Sequence, residues 1–102
     1  MMITLNQFSE VWCIDFEFNQ DGRAGNPPFP VCAVAQELHS MRVVRLWGDE
    51  LLNPPFDLSA HNVLTVGFYY SAESGCMMEL GWPRPANVLD LFAEFRCMTN
   101  GG

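Results

Sequence analysis

The nine residues Val11 to Asn19, VWCIDFEFN, constrain this chain more than any other stretch, because they place two acids inside an otherwise apolar strand. Successive strand side chains point to opposite faces. Trp12, Ile14, Phe16 and Phe18 therefore share one face, while Val11, Cys13, Asp15 and Glu17 share the other. The even face reads as a core face, and the residues flanking the strand are expected to bury the odd one as well. Buried acids of like charge are costly unless something positive holds them. The chain has no lysine, and its five cationic side chains are Arg23, Arg42, Arg45, Arg84 and Arg96. A divalent metal is the natural partner for Asp15 and Glu17. The competing reading is an edge strand whose two acids face water. Four large apolar residues on one face, with valine and cysteine beside the acids on the other, weigh against it.

The 102 residues suffice for one small domain with its own core. A net charge of −7 is the reverse of the basic footprint that phosphate-backbone binding needs, so nucleic-acid binding by this chain alone is expected to be weak except where metal ions carry the positive charge. Cys13, Cys32, Cys76 and Cys97 are widely spaced and show no zinc-ligand pattern, so they read as reduced core thiols. The first residues lack the basic and apolar regions of a signal peptide, and no run is long enough to span a membrane. A cytoplasmic protein with no membrane partner is expected.

Asn19 to Pro30 is loop by composition, with Asp-Gly, Gly-Asn and Pro-Pro breaking any regular element. Two β-rich runs, Val31 to Leu38 and Met41 to Trp47, are separated by His39-Ser40, which predicts a hairpin whose loop takes in neighbouring residues. Gly48 to Asn62 is a crossover with at most one helical turn, and its acids and the two histidines, His39 and His61, read as solvated. Val63 to Tyr69 is apolar nearly throughout, as expected of a strand buried on both faces. Ser71 is placed as N-cap of a helix over Ala72 to Leu80, closed by Gly81, with Ala72, Cys76, Met77 and Leu80 as its apolar stripe and Glu73 in its first turn. Asn87 to Leu89 reads as a short strand, and Leu91, Phe92, Phe95 and Met98 have helical spacing after Asp90.

The order strand, hairpin, crossover, strand, helix, with Asp-x-Glu in the first strand, resembles the α/β ribonuclease H-like fold of DEDD-type 3'–5' exonucleases, including the proofreading domains of phage-type family A DNA polymerases. IDFEF is similar to their first motif, which carries Asp15 and Glu17 over as a catalytic, metal-binding pair. VGFYYSAESGCMMELGWPRPANVLDLFAEFR is similar to their second. There the acid at the helix start, normally Asp, falls on Glu73, and a position often occupied by Asn falls on Tyr69. Both are departures from the family's pattern. Asp90 aligns with a further acid, and Tyr69 and Asp90 are expected to support the site rather than to hold metal.

The resemblance covers Val11 to Gly101, and its second block is the more specific. The third motif of such enzymes, a Tyr or His with an Asp on a later helix, is not found in these residues. The expectation is a single, incomplete exonuclease domain over residues 1–102. It would consist of three antiparallel strands, a crossover, a parallel strand and two helices, in host cytoplasm if phage-encoded. The implied activity is hydrolysis of phosphodiesters at the 3' end of single-stranded DNA with two Mg2+ or Mn2+ ions, weak until the missing C-terminal half is supplied. The alternative is a non-catalytic domain that binds a protein partner through the apolar surface left open.

Overall fold

The computed structural model describes residues 5–19, 29–68 and 70–91. Around the acid-bearing strand, β1 (Glu10–Asn19), four more strands assemble: β2 (Phe29–Glu37), β3 (Val43–Trp47), β4 (Val63–Gly67) and β5 (Asn87–Asp90). Among the described residues they form one mixed sheet in the order β3-β2-β1-β4-β5, which puts β1 at its centre. β1 to β3 are an antiparallel meander, whereas β4 pairs with β1 and β5 with β4 in parallel. The crossover from β3 to β4 holds one 3-10 turn, Gly48–Leu52, and the helix α1 (Tyr70–Leu80) connects β4 to β5. This is an α/β domain with a mixed five-stranded sheet and one described helix, compatible with a ribonuclease H-like fold without specifying it. No helix among the described residues is long and apolar enough to cross a membrane.

The even face of β1 is the principal core. Trp12, Ile14 and Phe16 pack with Ala33, Ala35, Leu46, Val63, Cys76 and Met77, all buried. Aromatic rings extend that core into the crossover: Trp12 lies 4.6 Å from Phe56, and Trp82 lies 5.4 Å from Phe16 and 5.8 Å from Phe56. The Trp82 indole N–H donates to the Leu51 carbonyl at 2.7 Å, so the one polar atom of that ring is satisfied while its body stays in the core. Phe18 departs from the expected core face. It is 36% exposed, because β1 runs on past the helix-covered part of the sheet.

Helix α1 ends as the sequence predicts. Gly81 takes φ +74°, its N–H donates to Met78 O, and Trp82 N–H donates to Met77 O. That is the Schellman pattern, which a left-handed glycine permits at little cost. The helix start differs from the expectation: α1 begins at Tyr70, one residue before the predicted cap, so Ser71 is inside the first turn. β4 is shorter than expected and ends at Gly67, but its five residues are buried on both faces as predicted. The hairpin loop spans residues 38–42, with Met41 at φ 63° and Glu37 N–H donating to Arg42 O at 2.9 Å. Two residues could not supply that reversal without the favoured Asn-Gly chemistry.

Candidate carboxylate site

β1 outlasts its parallel neighbour. The β1–β4 ladder pairs Glu10 to Cys13 with Val63 to Val66, after which β4 turns away toward α1. Beyond Cys13, backbone groups on that side of β1 meet no strand among the described residues. Phe16 N–H is one such group, and its acceptor is the Glu73 carboxylate, with Oε1 at 3.1 Å. Glu73 is only 6% exposed, and its place in the first turn of α1 lets it reach β1 from the helix. A carboxylate there also meets the positive end of the helix dipole.

The same carboxyl comes within hydrogen-bonding reach of the Asp15 side chain. Burial pushes Glu73 above the ordinary carboxylate range; the Phe16 N–H pulls it back, and Asp15 pushes it up again. Neighbouring thiols sense the same acids. Cys76 is pushed up to about 11, first by burial and then by Glu73, and Cys13 is raised by burial and by Asp15. Neither thiol is activated, and both are free, as is Cys32; Cys97 lies outside the described residues.

Glu17 follows Asp15 on the same face, and both are exposed rather than buried as the sequence suggested. The flanking apolar residues do bury the strand, but they do so on the even face and at its first half. A register shift falls beside Glu17: it pairs with Cys32, whereas Phe18 pairs with Pro30, which leaves Val31 as the extra residue. Pro30 has no N–H to give a ladder, and bulges commonly sit next to sites because they re-aim side chains.

Among the described residues, no three His, Cys, Asp or Glu side chains converge as a metal-binding group. Asp15 and Glu73 are brought together, while Glu17 stands apart from the pair's hydrogen bonding. Asp90 closes β5 opposite Gly67, on the helix-covered side of the sheet, and Tyr69 lies outside the described residues. The pair itself sits just past the carboxyl end of the parallel β1–β4 ladder, beside the N-terminal turn of the connecting helix. In open α/β sheets that crevice is where ligands bind.

One buried acid went unnoticed in the sequence. Glu37, 5% exposed, accepts from the N–H groups of Val11 at 2.9 Å, His39 at 3.0 Å and Ser40 at 2.7 Å. Burial alone would raise its carboxyl, yet these donors and the Ser40 hydroxyl hold it down to about 2. The signal was available: Glu37 ends a strand on the core-side parity of Trp12, with a turn immediately after it. It ties the start of β1 to the hairpin and is remote in register from Asp15, so its work is structural.

No protein-family model, curated protein or solved structure matches this chain.

Proposed function

We propose that this chain carries the first two acidic motifs of a ribonuclease H-like 3'–5' exonuclease domain of the proofreading type, and that its substrate is the 3' end of single-stranded DNA. The observation that supports this most is the meeting of Asp15, on the central strand just past its ladder with β4, with Glu73, in the first turn of the helix after β4. Those are the two places from which the resemblance requires acids to converge. Glu73 replaces the usual Asp, and its additional methylene gives the reach that the gap beside β1 requires.

Two carboxyls this close repel unless a proton or a cation lies between them. Their oxygens are hard donors that suit Mg2+ or Mn2+, and magnesium sites commonly use one or two carboxylates together with waters and substrate phosphates. Asp15 and Glu73 would hold such an ion, with Glu17 two residues further along the same face of β1; when bound, it would supply charge for phosphodiester hydrolysis and an acidified water. The chain's own contribution is positional. The Phe16 N–H fixes Glu73 Oε1, so the carboxyl is oriented before any ligand arrives. An overall charge of −7 offers little independent attraction for DNA, so binding of the strand depends on the cation.

Thermal melts with and without Mn2+, on the wild type and on Asp15→Asn, test the assignment. Manganese should raise the melting temperature of the wild type, since a ligand of the native state stabilises by mass action, and Asp15→Asn should remove most of that rise while remaining folded. An unchanged manganese response in Asp15→Asn would sink the site. With two convergent carboxylates, turnover of 3'-labelled single-stranded DNA should be about 10²-fold or more below that of a domain with a full acid–base set, and a segment bearing the third motif should restore part of it. Robust metal-dependent degradation without that segment would refute the incomplete-site reading.

A further inference from the structure

A cavity of about 380 Å3 opens between the crossover, residues 52–59, and Trp82-Pro83 after α1. That lies within the range of about 300–1,000 Å3 usual for small-molecule pockets. The cavity is on the helix-covered side of the sheet, because its wall residues Phe56 and Trp82 pack against Trp12 and Phe16 of the even face of β1. The carboxylate pair takes no part in its wall.

Two long-range hydrogen bonds hold the walls apart and in place. The Trp82 indole N–H donates to Leu51 O at 2.7 Å, and the Ala86 N–H donates to Leu58 O at 3.0 Å. The segment after α1 is thus tied to the crossover at Leu51 and again at Leu58. A site tied in this way is built before a ligand arrives, which lowers the ordering cost of binding.

The chemistry of the wall selects what can enter. The rings of Phe56 and Trp82 lie 5.8 Å apart at 80° to one another. A group set into the corner between them meets π surface on two sides, and such surfaces attract cations. Asp57 is the one formally charged residue among the described residues of the wall. Its Oδ1 accepts both the Ser59 hydroxyl and the Ser59 N–H, which hold the carboxyl below the ordinary carboxylate range. Both bonds fall on one oxygen, so Oδ2 keeps its acceptor capacity. Arg84 lines a separate depression that shares Trp82. An anion in the cavity would therefore meet Asp57 without a wall cation to offset it, and a neutral molecule would use the rings but not the acid.

We propose that this cavity binds a small organic cation, an ammonium or guanidinium carried on an apolar body, with its charge between Asp57 and the rings of Phe56 and Trp82 and its body against Leu58 and Pro83. The proposal goes beyond the exonuclease reading and does not rest on it.

Three probes of one size and three charges test it: phenethylammonium, neutral 2-phenylethanol and phenylacetate. Each is titrated into the full chain, with calorimetry and the Trp82 indole N–H resonance, identified by its loss in Trp82→Phe, as readouts. Phenethylammonium should bind at least about tenfold more tightly than the other two and should shift that resonance. Asp57→Asn should weaken the cation about tenfold and leave the alcohol unchanged. Asn can still accept from Ser59, so its urea midpoint should match the wild type, which separates lost binding from lost folding. Leu52→Arg, at a wall position that is 57% exposed, brings a tethered cation to Asp57 and should weaken phenethylammonium in the same way. Equal binding of the three probes would overturn the proposal, as would no saturable binding of the cation or binding that leaves the Trp82 resonance unmoved. Cation affinity insensitive to both variants would overturn it too. Asp15→Asn should leave phenethylammonium binding unchanged; a loss there would move the cation to the carboxylate pair and defeat the proposal. The metal assignment fails or survives separately, on the manganese response of Asp15→Asn.

Discussion

Replacing Glu73 by Ala and by Gln separates the two interactions of its carboxyl. Ala leaves the buried Phe16 N–H without its acceptor, which costs about 1–3 kcal/mol. It also removes a side-chain methylene that is almost wholly out of water, at about 0.8 kcal/mol. A loss of about 3 kcal/mol is expected, a large share of the roughly 5–15 kcal/mol that holds a domain together. Gln keeps an acceptor for Phe16, removes the like charge next to Asp15, and offers an amide donor to it. At pH 7 it should therefore be no less stable than the wild type. The sign of the pH dependence follows from the raised Glu73 carboxyl: stability tied to its protonation is fully present below the ordinary value of 4.5 and is lost as pH rises through the higher folded value. The wild type should thus gain on Glu73→Gln as pH falls from neutral toward 4.5. Urea unfolding followed by tryptophan fluorescence at pH 7 and pH 5, with slopes compared to confirm a common unfolding reaction, measures all three. Equal destabilisation by Gln and Ala at pH 7 would refute the division of labour, and a wild-type-to-Gln gap independent of pH would refute the raised carboxyl.

Glu37→Gln should cost about 2 kcal/mol at pH 7, because charge-assisted bonds from Val11, His39 and Ser40 are lost or reversed. The Glu37 carboxyl is depressed to about 2, so its contribution is present above 4.5 and disappears as pH falls toward 2; equal urea midpoint gaps at neutral pH and near pH 2 would contradict this. Denatured protein should titrate all four thiols, with buried Cys76 the slowest of Cys13, Cys32 and Cys76 to alkylate in the native state by peptide mapping; a Cys13–Cys32 disulfide would show those thiols misassigned. Trp82→Phe keeps an aromatic ring but orphans the Leu51 carbonyl, and a thermal melt should register a loss of about 1 kcal/mol; no change would mean that the hydrogen bond does not secure α1 to the crossover.

Period and punctuation carried much of the fold. Alternation in the first half of β1, the burial of β4 on both faces and the Gly81 stop are properties of local sequence, and each appears among the residues that signal it. What local pattern could not supply is where neighbours end. The expectation that Asp15 and Glu17 are buried failed because burial on the odd face depends on what lies over β2 and β3, not on β1 itself. The helix start at Tyr70, one residue before the predicted cap, is within the one or two residues by which local signals place a helix end. Glu37 escaped notice because a strand-ending Glu looks solvated until three backbone donors are seen to surround it.

The position of Glu73 also accounts for the length of its side chain. β1 projects beyond β4, and the backbone N–H of Phe16 opens into the gap between strand and helix. An acid that only had to face a cation could be short. This one must also close the gap by accepting from Phe16, and Oε1 is committed to that bond. The carboxyl is thereby locked to the strand whose preceding residue is Asp15, so any displacement of α1 moves the two acids relative to one another. Conversely, a cation held between Asp15 and Glu73, as proposed, would tighten the contact between α1 and β1. Its stabilisation and the Phe16 hydrogen bond would then be coupled, and removing either would weaken what the other contributes.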